Sequence, residues 1–434
     1  MDQKKKPNHI TIIAIGTRGD VQPYVALGKA LKAKGYTVRI AAQSNFQDFV
    51  TRHNLEFAPI TGHAQQMLDG ETGQALMSTG RNGLYYMYLL SKLLAPTAKQ
   101  GLLDSWEACQ GTDAIIFNLF GMAGYHIAEK LKIPAIGAYI YPMSRTKAFP
   151  VIGSDLRVRL GGYYNWITYL VSEQVIWHTF RNVINQWRQE TLNLPPMPFS
   201  GPYVQMNQQK MPILHAYSPA IVPTPTDWPD WLIVTGYWFL DENISWQPPE
   251  TLIRFLEAGP PPVYVGFGSI SNDKPQAMVE LVIDALKQNG QRGILSRGWG
   301  GLNLDTAQPF LSDDIFVVDN VPHEWLFPQM AAVVHHGGAG TTSAGLRAGV
   351  PSVIIPFHLD QPFWGERIAA LGVGPHPILH NKLSVDRLAT AIKMATSDPT
   401  IKKNATAIGQ QIRAENGLTK AIEFCERFWK TRHW

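Results

Sequence analysis

The chain has 434 residues, too many for one hydrophobic core, with 45% hydrophobic and 17% charged residues and a formal net charge of +4. Length points to two or three domains and composition to an ordinary globular protein. So small a charge excludes a dedicated nucleic-acid binder but leaves room for a weakly basic membrane-facing patch. The two cysteines, Cys109 and Cys425, show no metal-like spacing, so neither a disulfide framework nor a zinc site is expected and a reducing cytosol fits.

The N-terminal Met-Asp-Gln-Lys-Lys-Lys-Pro is followed by an apolar run only from Ile10 to Gly16. That is too short for a signal peptide, and no run of 18 uncharged apolar residues occurs, so neither a leader nor a transmembrane helix is expected. Ile10–Ile15 reads as a buried strand, Gly16–Asp20 as a turn, and Tyr24, Leu27, Gly28 and Leu31 as one face of a helix stopped by Gly35. A strand from Thr37 to Ala42 completes a βαβ unit, the building block of parallel sheets.

Residues 139–187 are dense in aromatics, and Trp166, Leu170, Trp177, Phe180, Ile184 and Trp187 fall near one helical stripe. The cluster Leu84–Leu90 is similar. Three readings stand side by side: a pocket for a flat hydrophobic ligand, with Tyr141, Phe149 and Trp166 as candidate lining; ordinary core packing; or a membrane-surface face with Lys147, Arg157, Arg159 and Arg181 nearby.

A Pro- and Trp-rich stretch, Ser218–Trp231, and the breaker clusters Gln247-Pro-Pro and Gly259–Pro262 mark a linker region. We place the boundary at 240. Residues 1–240 form one Rossmann-like domain, 241–417 a second, and 418–434 a helix expected to cross back to the first. The second half repeats the rhythm. Strands are read at 263–267, 293–296, 315–318, 332–335 and 352–355, with a helix face at Met278, Leu281, Val282 and Ala285. Two α/β domains joined this way are expected to leave a cleft where the carboxyl ends of both sheets face each other.

The strongest local signal is Val333–Thr342, a buried strand running into a small-residue turn that opens a helix. Gly337, Gly338 and Gly340 permit close backbone approach, and a helix N-terminus supplies free N–H groups and partial positive charge, so the turn reads as an anion cradle. His336 at its lip and Thr341 or Thr342 add hydrogen-bonding groups. A plain tight turn with a capping threonine is the alternative. Downstream, Asp360 and Gln361 pair a carboxylate with an amide, suited to adjacent sugar hydroxyls, although helix capping by Asp360 explains the same residues. Gly266-Phe-Gly-Ser-Ile270 lacks the third glycine and the acidic residue of a dinucleotide site, which argues against NAD.

His335–Thr342 followed by Pro356–Gln361 resembles the nucleotide-sugar signature of the UDP-glycosyltransferase superfamily. Gly16–Pro23, Tyr217–Trp228 and Val321–Pro328 narrow the resemblance to sterol 3-beta-glucosyltransferases and their bacterial relatives. The resemblance spans nearly the whole chain. It implies the GT-B fold, two Rossmann-like domains with parallel sheets facing a central cleft, with an acceptor-binding N-terminal domain and a donor-binding C-terminal domain. It also implies that Ser269, His336, Gly338, Gly340 and Thr341 hold the diphosphate, with Ala339 and Thr17 beside them. Val321 would supply backbone contacts to the base, and Asp360 and Gln361 would hold glucose. Plant members place a Trp where this chain has Asn320, so stacking of uracil on that residue is not available and UDP is less strongly specified over TDP.

Displacement at an anomeric carbon needs a base for the acceptor hydroxyl and stabilisation of the departing diphosphate. Asp20 stands where relatives carry a catalytic His or Asp. By residue type alone it is equally a helix N-cap, which would depress its pKa, and the resemblance favours the base. Arg18 has the chemistry to pair bidentately with phosphate. No Asp-x-Asp occurs in the chain, so no metal and no cofactor are expected, with the helix dipole, His336 and Arg18 serving the leaving group.

The expected activity is inverting transfer of glucose from UDP-glucose to a sterol or similar lipid alcohol. Alternatives are a polyketide, carotenoid or glycopeptide acceptor, a sugar-nucleotide epimerase, or a non-catalytic sugar-nucleotide sensor. A cytoplasmic location, with peripheral membrane contact as an option, completes the expectation. Oligomeric state has no signature here.

Overall fold

The computed structural model describes residues 7–62, 83–154, 160–241, 246–267, 275–297, 312–319, 321–357 and 360–431. Ser269, Asn320, Arg157 and Arg159 lie outside these, as do the side chains of the Leu84–Leu90 cluster except Leu89, which is buried.

The chain divides into two compact units, residues 1–241 with 415–434, and residues 242–414. The C-terminal segment thus belongs to the first unit, and the second ends a few residues before the expected 417.

The first unit holds a seven-stranded sheet in the order β3-β2-β1-β4-β5-β6-β7. Its strands are β1 (His9–Ile13), β2 (Thr37–Gln43), β3 (Glu56–Ile60), β4 (Ala114–Phe117), β5 (Ala135–Tyr139), β6 (Ile213–His215) and β7 (Leu232–Val234). Every pairing is parallel. Parallel strands are covered on both faces, so they read as continuous apolar runs. Ile10 and Ile12 accordingly pack into one core and Ile13 into another, on the opposite face. Each such fully buried side chain contributes about 1.5–3 kcal/mol.

The strand order reverses between β1 and β4, so the carboxyl end of β1 is a topological switch point, where ligands of open α/β sheets bind. Helix α1 (Arg18–Ala33) leaves from there. It starts earlier than the sequence pattern implied, so Pro23 falls in the helix interior and not in its first turn. Helix α2 (Gly83–Ala108) packs along helix α3 (Gly162–Glu190).

The second unit carries a five-stranded parallel sheet, β10-β9-β8-β11-β12, built from β8 (Val263–Gly266), β9 (Gly293–Ser296), β10 (Ile315–Val318), β11 (Ala332–His335) and β12 (Ser352–Ile354). Its switch point lies between β8 and β11. Helix α4 (Pro275–Gln288) covers one face, and β11 sends Val334 into that core and Val333 into the opposite one. Helix α5 (Ala339–Ala348) follows β11, and helix α6 (Gln361–Ala370) follows β12.

The last helix, α7 (Gly417–Thr431), lies against α1 in the first unit. Ala421, Ile422, Cys425, Phe428 and Trp429 join the core beneath α1, and Tyr36 donates its hydroxyl to Glu426 at 2.9 Å. Gly236 and Gly417 allow the two chain segments at this edge to touch: a Cβ on Gly417 would stand 2.4 Å from the Tyr237 carbonyl oxygen.

Candidate functional site

The Gly16–Asp20 segment sits at the first switch point and is tightly specified. Gly16 has φ +142°, and a Cβ there would lie 2.5 Å from the Asp20 carboxylate, so only glycine fits under that side chain. The N-cap of α1 is Thr17, and Asp20 occupies the third helical position, not the N-cap that its residue type alone allowed. Its carboxylate accepts the Thr17 N–H at 2.8 Å and the Thr17 hydroxyl at 2.9 Å, the acidic half of a capping box.

Burial pushes the Asp20 carboxyl above its ordinary pKa, and the backbone and side-chain hydrogen bonds from Thr17 pull the other way without cancelling it. Capping and basicity are therefore compatible here, because the group that caps is half-buried at a switch point. Exposed Arg18 donates to Gln22 at 3.2 Å, and its guanidinium lies 4.9 Å from the Phe49 ring centre.

Two residues that the sequence did not single out hold this turn. Buried Asn118, immediately after β4, donates its amide to the Ile15 carbonyl at 2.7 Å and accepts the Gly121 N–H at 2.8 Å. Gln43, at the end of β2, accepts the Gly16 N–H at 3.3 Å. Both are polar residues closing an apolar strand, a signal that is visible in sequence but shared with many strand ends. One helical turn beyond Asp20, buried Tyr24 donates to the Ala138 carbonyl at 2.6 Å, which seats α1 on β5.

In the second unit the glycine turn lies at the other switch point. Gly337 has φ +89°, and a Cβ there would meet Ile354 at 2.7 Å and the Gln361 carbonyl oxygen at 3.1 Å. The turn is thus packed directly against the start of α6, which brings His336–Thr341 and Asp360–Gln361 together. A Cβ on Gly338 would stand 2.5 Å from His336 Nε2, so the imidazole lies over the glycine at the N-cap of α5. The N–H groups of Ala339, Gly340 and Thr341 open that helix and have no partner within it. Thr341 is half-buried at the helix start, whereas Thr342 is buried and turned inward.

His335 is fully buried, and its Nδ1 accepts the Gly337 N–H at 3.1 Å, which leaves the proton of the neutral ring on Nε2. Burial above all, with His336 and His323 adding to it, holds its pKa well below the ordinary value, so it stays neutral beside an anion cradle. Asp360 is at the N-cap position of α6 but accepts the Trp364 indole N–H at 2.8 Å instead of capping. Gln361 is buried, and its amide oxygen accepts the Phe357 N–H at 2.8 Å. Val321 is half-buried against the core that contains Leu326 and Phe327.

The aromatic stripe divides. Trp177, Trp187 and Tyr169 are buried core residues of α3, whereas Trp166 is at the surface. Tyr141 is half-buried against the core beneath α1, and Phe149 is half-buried in the loop before α3.

Known proteins match these features. Residues 10–150 match the glycosyltransferase family 28 N-terminal domain, and residues 305–427 match the erythromycin biosynthesis protein CIII-like C-terminal domain. Among solved structures, a glycotransferase of kitacinnamycin superposes with a TM-score of 0.72 at 20% identity, over 98% of this chain and 99% of that one. The glycosyltransferase VinC, in complex with DTDP, gives 0.70 at 19% identity, over 98% of this chain and all of that one (100%). The chain has the GT-B fold.

In sequence it is similar to sterol 3-beta-glucosyltransferases: 40% identical to that of Yarrowia lipolytica over 95% of this chain, and 40% to that of Emericella nidulans over 96%. It spans 28% and 30% of the length of those two relatives.

Proposed function

We propose that this chain transfers glucose from UDP-glucose to the 3β-hydroxyl of a sterol or closely similar lipid alcohol, with inversion at the anomeric carbon. The observation that carries this reading is the 40% identity to sterol 3-beta-glucosyltransferases across 95% of the chain. The two switch-point turns supply groups suited to the chemistry.

In this reading Asp20 accepts the proton of the acceptor hydroxyl as its oxygen attacks the anomeric carbon. The bond to the diphosphate breaks on the opposite face, and UDP leaves with the electron pair. The raised pKa of Asp20 suits a base that must hold a proton in the transition state. The N-terminus of α5 and His336 meet the charge on the departing diphosphate, so the reaction needs neither a divalent metal nor a cofactor. Asp360 and Gln361 face glucose, Val321 the pyrimidine, and Thr17, Arg18 and Ser269 the phosphates. Tyr141, Phe149 and Trp166 belong to the acceptor side. The protein works in the cytoplasm, at a membrane surface where its acceptor resides.

The test is UDP release from UDP-glucose with and without a panel of sterols and other lipid alcohols, in chelator, for wild type and Asp20→Ala. Sterol-dependent release that resists the chelator and disappears in the variant is the expected result. Release that does not depend on acceptor would point to hydrolysis or epimerisation and refute the reading.

A further inference from the structure

Over its first three turns helix α3 packs inward through buried Tyr169 and through polar contacts: the Asn165 amide donates to the Lys147 carbonyl at 2.9 Å, and the Thr168 hydroxyl accepts the Val151 N–H at 2.9 Å. Its outer side is apolar. Tyr163, Ile167 and Val171 follow one another at helical spacing and are 76%, 50% and 44% exposed, with Leu160 just before the helix at 71%. Trp166 flanks the same stripe. Of the eight large hydrophobic side chains exposed among the described residues, these are five, gathered within twelve positions of the chain. Scattered exposed hydrophobics need no explanation, but a contiguous stripe of this kind marks a contact surface.

Basic groups stand at both ends of the stripe, with Asp227 beside the backbone of Lys147. The Lys147 ammonium lies 4.6 Å from the Tyr163 ring centre at one end. At the other end the same helix face continues into exposed His178 and half-buried Arg181, whose guanidinium lies 5.2 Å from the ring of exposed Phe199. No acidic residue occurs between Asp155 and Glu173, a span that contains Arg157 and Arg159. Glu173 itself is turned inward and paired with Arg145. An aliphatic centre with Tyr and Trp beside it and basic groups at both ends matches the depth profile of a bilayer interface, where rings sit at headgroup level and cations meet anionic lipid.

We infer that the outer face of Gly162–Val171, with Leu160, docks this protein on an anionic lipid bilayer. The inference deepens the acceptor assignment and rests on it for its purpose, since a sterol acceptor resides in such a bilayer. Its test does not use catalysis. The protein is sedimented with phosphatidylcholine vesicles, with and without phosphatidylserine, and compared with a Tyr163→Ser, Ile167→Ser, Val171→Ser variant and with Lys147→Glu. These positions are exposed, so the variants are expected to fold, which near-UV circular dichroism checks.

Wild type is expected to partition onto serine-containing vesicles. The triple variant should lose about tenfold or more of that partitioning, and Lys147→Glu should lose part of it, more at low salt than at high. Equal sedimentation of wild type and triple variant, or none by wild type, overturns the docking surface and leaves the acceptor assignment standing. A dimer that dissociates in the triple variant, seen by light scattering without vesicles, also overturns it by assigning the stripe to a second copy. Vesicle binding without sterol-dependent UDP release would instead count against the acceptor alone.

Discussion

Replacing Gly337 with alanine tests whether the turn at the carboxyl end of β11 is as constrained as its geometry indicates. The residue has φ +89°, and the added methyl would meet Ile354 Cγ2 at 2.7 Å and the Gln361 carbonyl oxygen at 3.1 Å. The left-handed backbone costs an L-residue about 1–2 kcal/mol, and forced overpacking about 1–3 kcal/mol. The Ile354 methyl has some freedom to yield, but the carbonyl oxygen belongs to the first residue of α6 and moves only with that helix. We expect a loss of about 2–4 kcal/mol in urea unfolding, from these two contributions taken together. UDP affinity should weaken as well, because relief of the contact shifts the start of α6 away from the cradle. Gly338→Ala is the control. Its φ is ordinary at −62°, and the nearest atoms to its new methyl belong to the His336 ring, at 2.5 Å, so the ring is displaced while the backbone stays unstrained. That variant should lose donor affinity with a smaller loss of stability. If Gly337→Ala unfolds within about 0.5 kcal/mol of wild type and binds UDP normally, the argument from strain is wrong.

Three further expectations follow from particular groups. Asp20→Asn keeps the shape of the capping box but removes the base, so kcat with sterol should fall about 100- to 10,000-fold while UDP affinity changes little; in wild type, kcat/KM should fall as pH drops through a carboxyl pKa above the ordinary 3.8. Arg188 is buried and donates to Glu129 at 2.7 and 3.1 Å and to the Pro195 carbonyl at 2.9 Å, so Arg188→Met should cost about 2–3 kcal/mol in urea unfolding, less than for a fully buried pair because water reaches Glu129. Burial lowers the His215 pKa from 6.5 to about 3. The unfolded chain therefore takes up a proton that the folded one refuses, and stability is lost as pH falls from about 6.5 towards 3; His215→Phe should narrow the gap in Tm between pH 8 and pH 5, and an unchanged gap would place the acid sensitivity elsewhere.

The residues of both switch-point turns were legible because glycine spacing after an apolar strand has few physical explanations. His336, Gly338 and Thr341 gather where a strand must hand over to a helix, and Asp360 and Gln361 meet them there through the Gly337 contact. The role of Asp20 was only half legible. Its place in the chain suggested an N-cap, but the helix begins at Arg18, so Thr17 caps and Asp20 reaches back to it from the third position. Asn118 and Gln43 were not legible at all, since their value lies in hydrogen bonds to chain 103 and 27 positions away.

By itself the sequence determined the two α/β units and their parallel strands, because strand runs buried on both faces and glycine turns are local patterns set by nearest neighbours along the chain. Tertiary structure alone decided how the aromatic helix is used. The periodic stripe through Trp166, Trp177 and Trp187 is split between core at Trp177 and Trp187 and surface at Trp166. Periodicity reports which side chains share a face, but only the packing of other elements decides whether that face is covered.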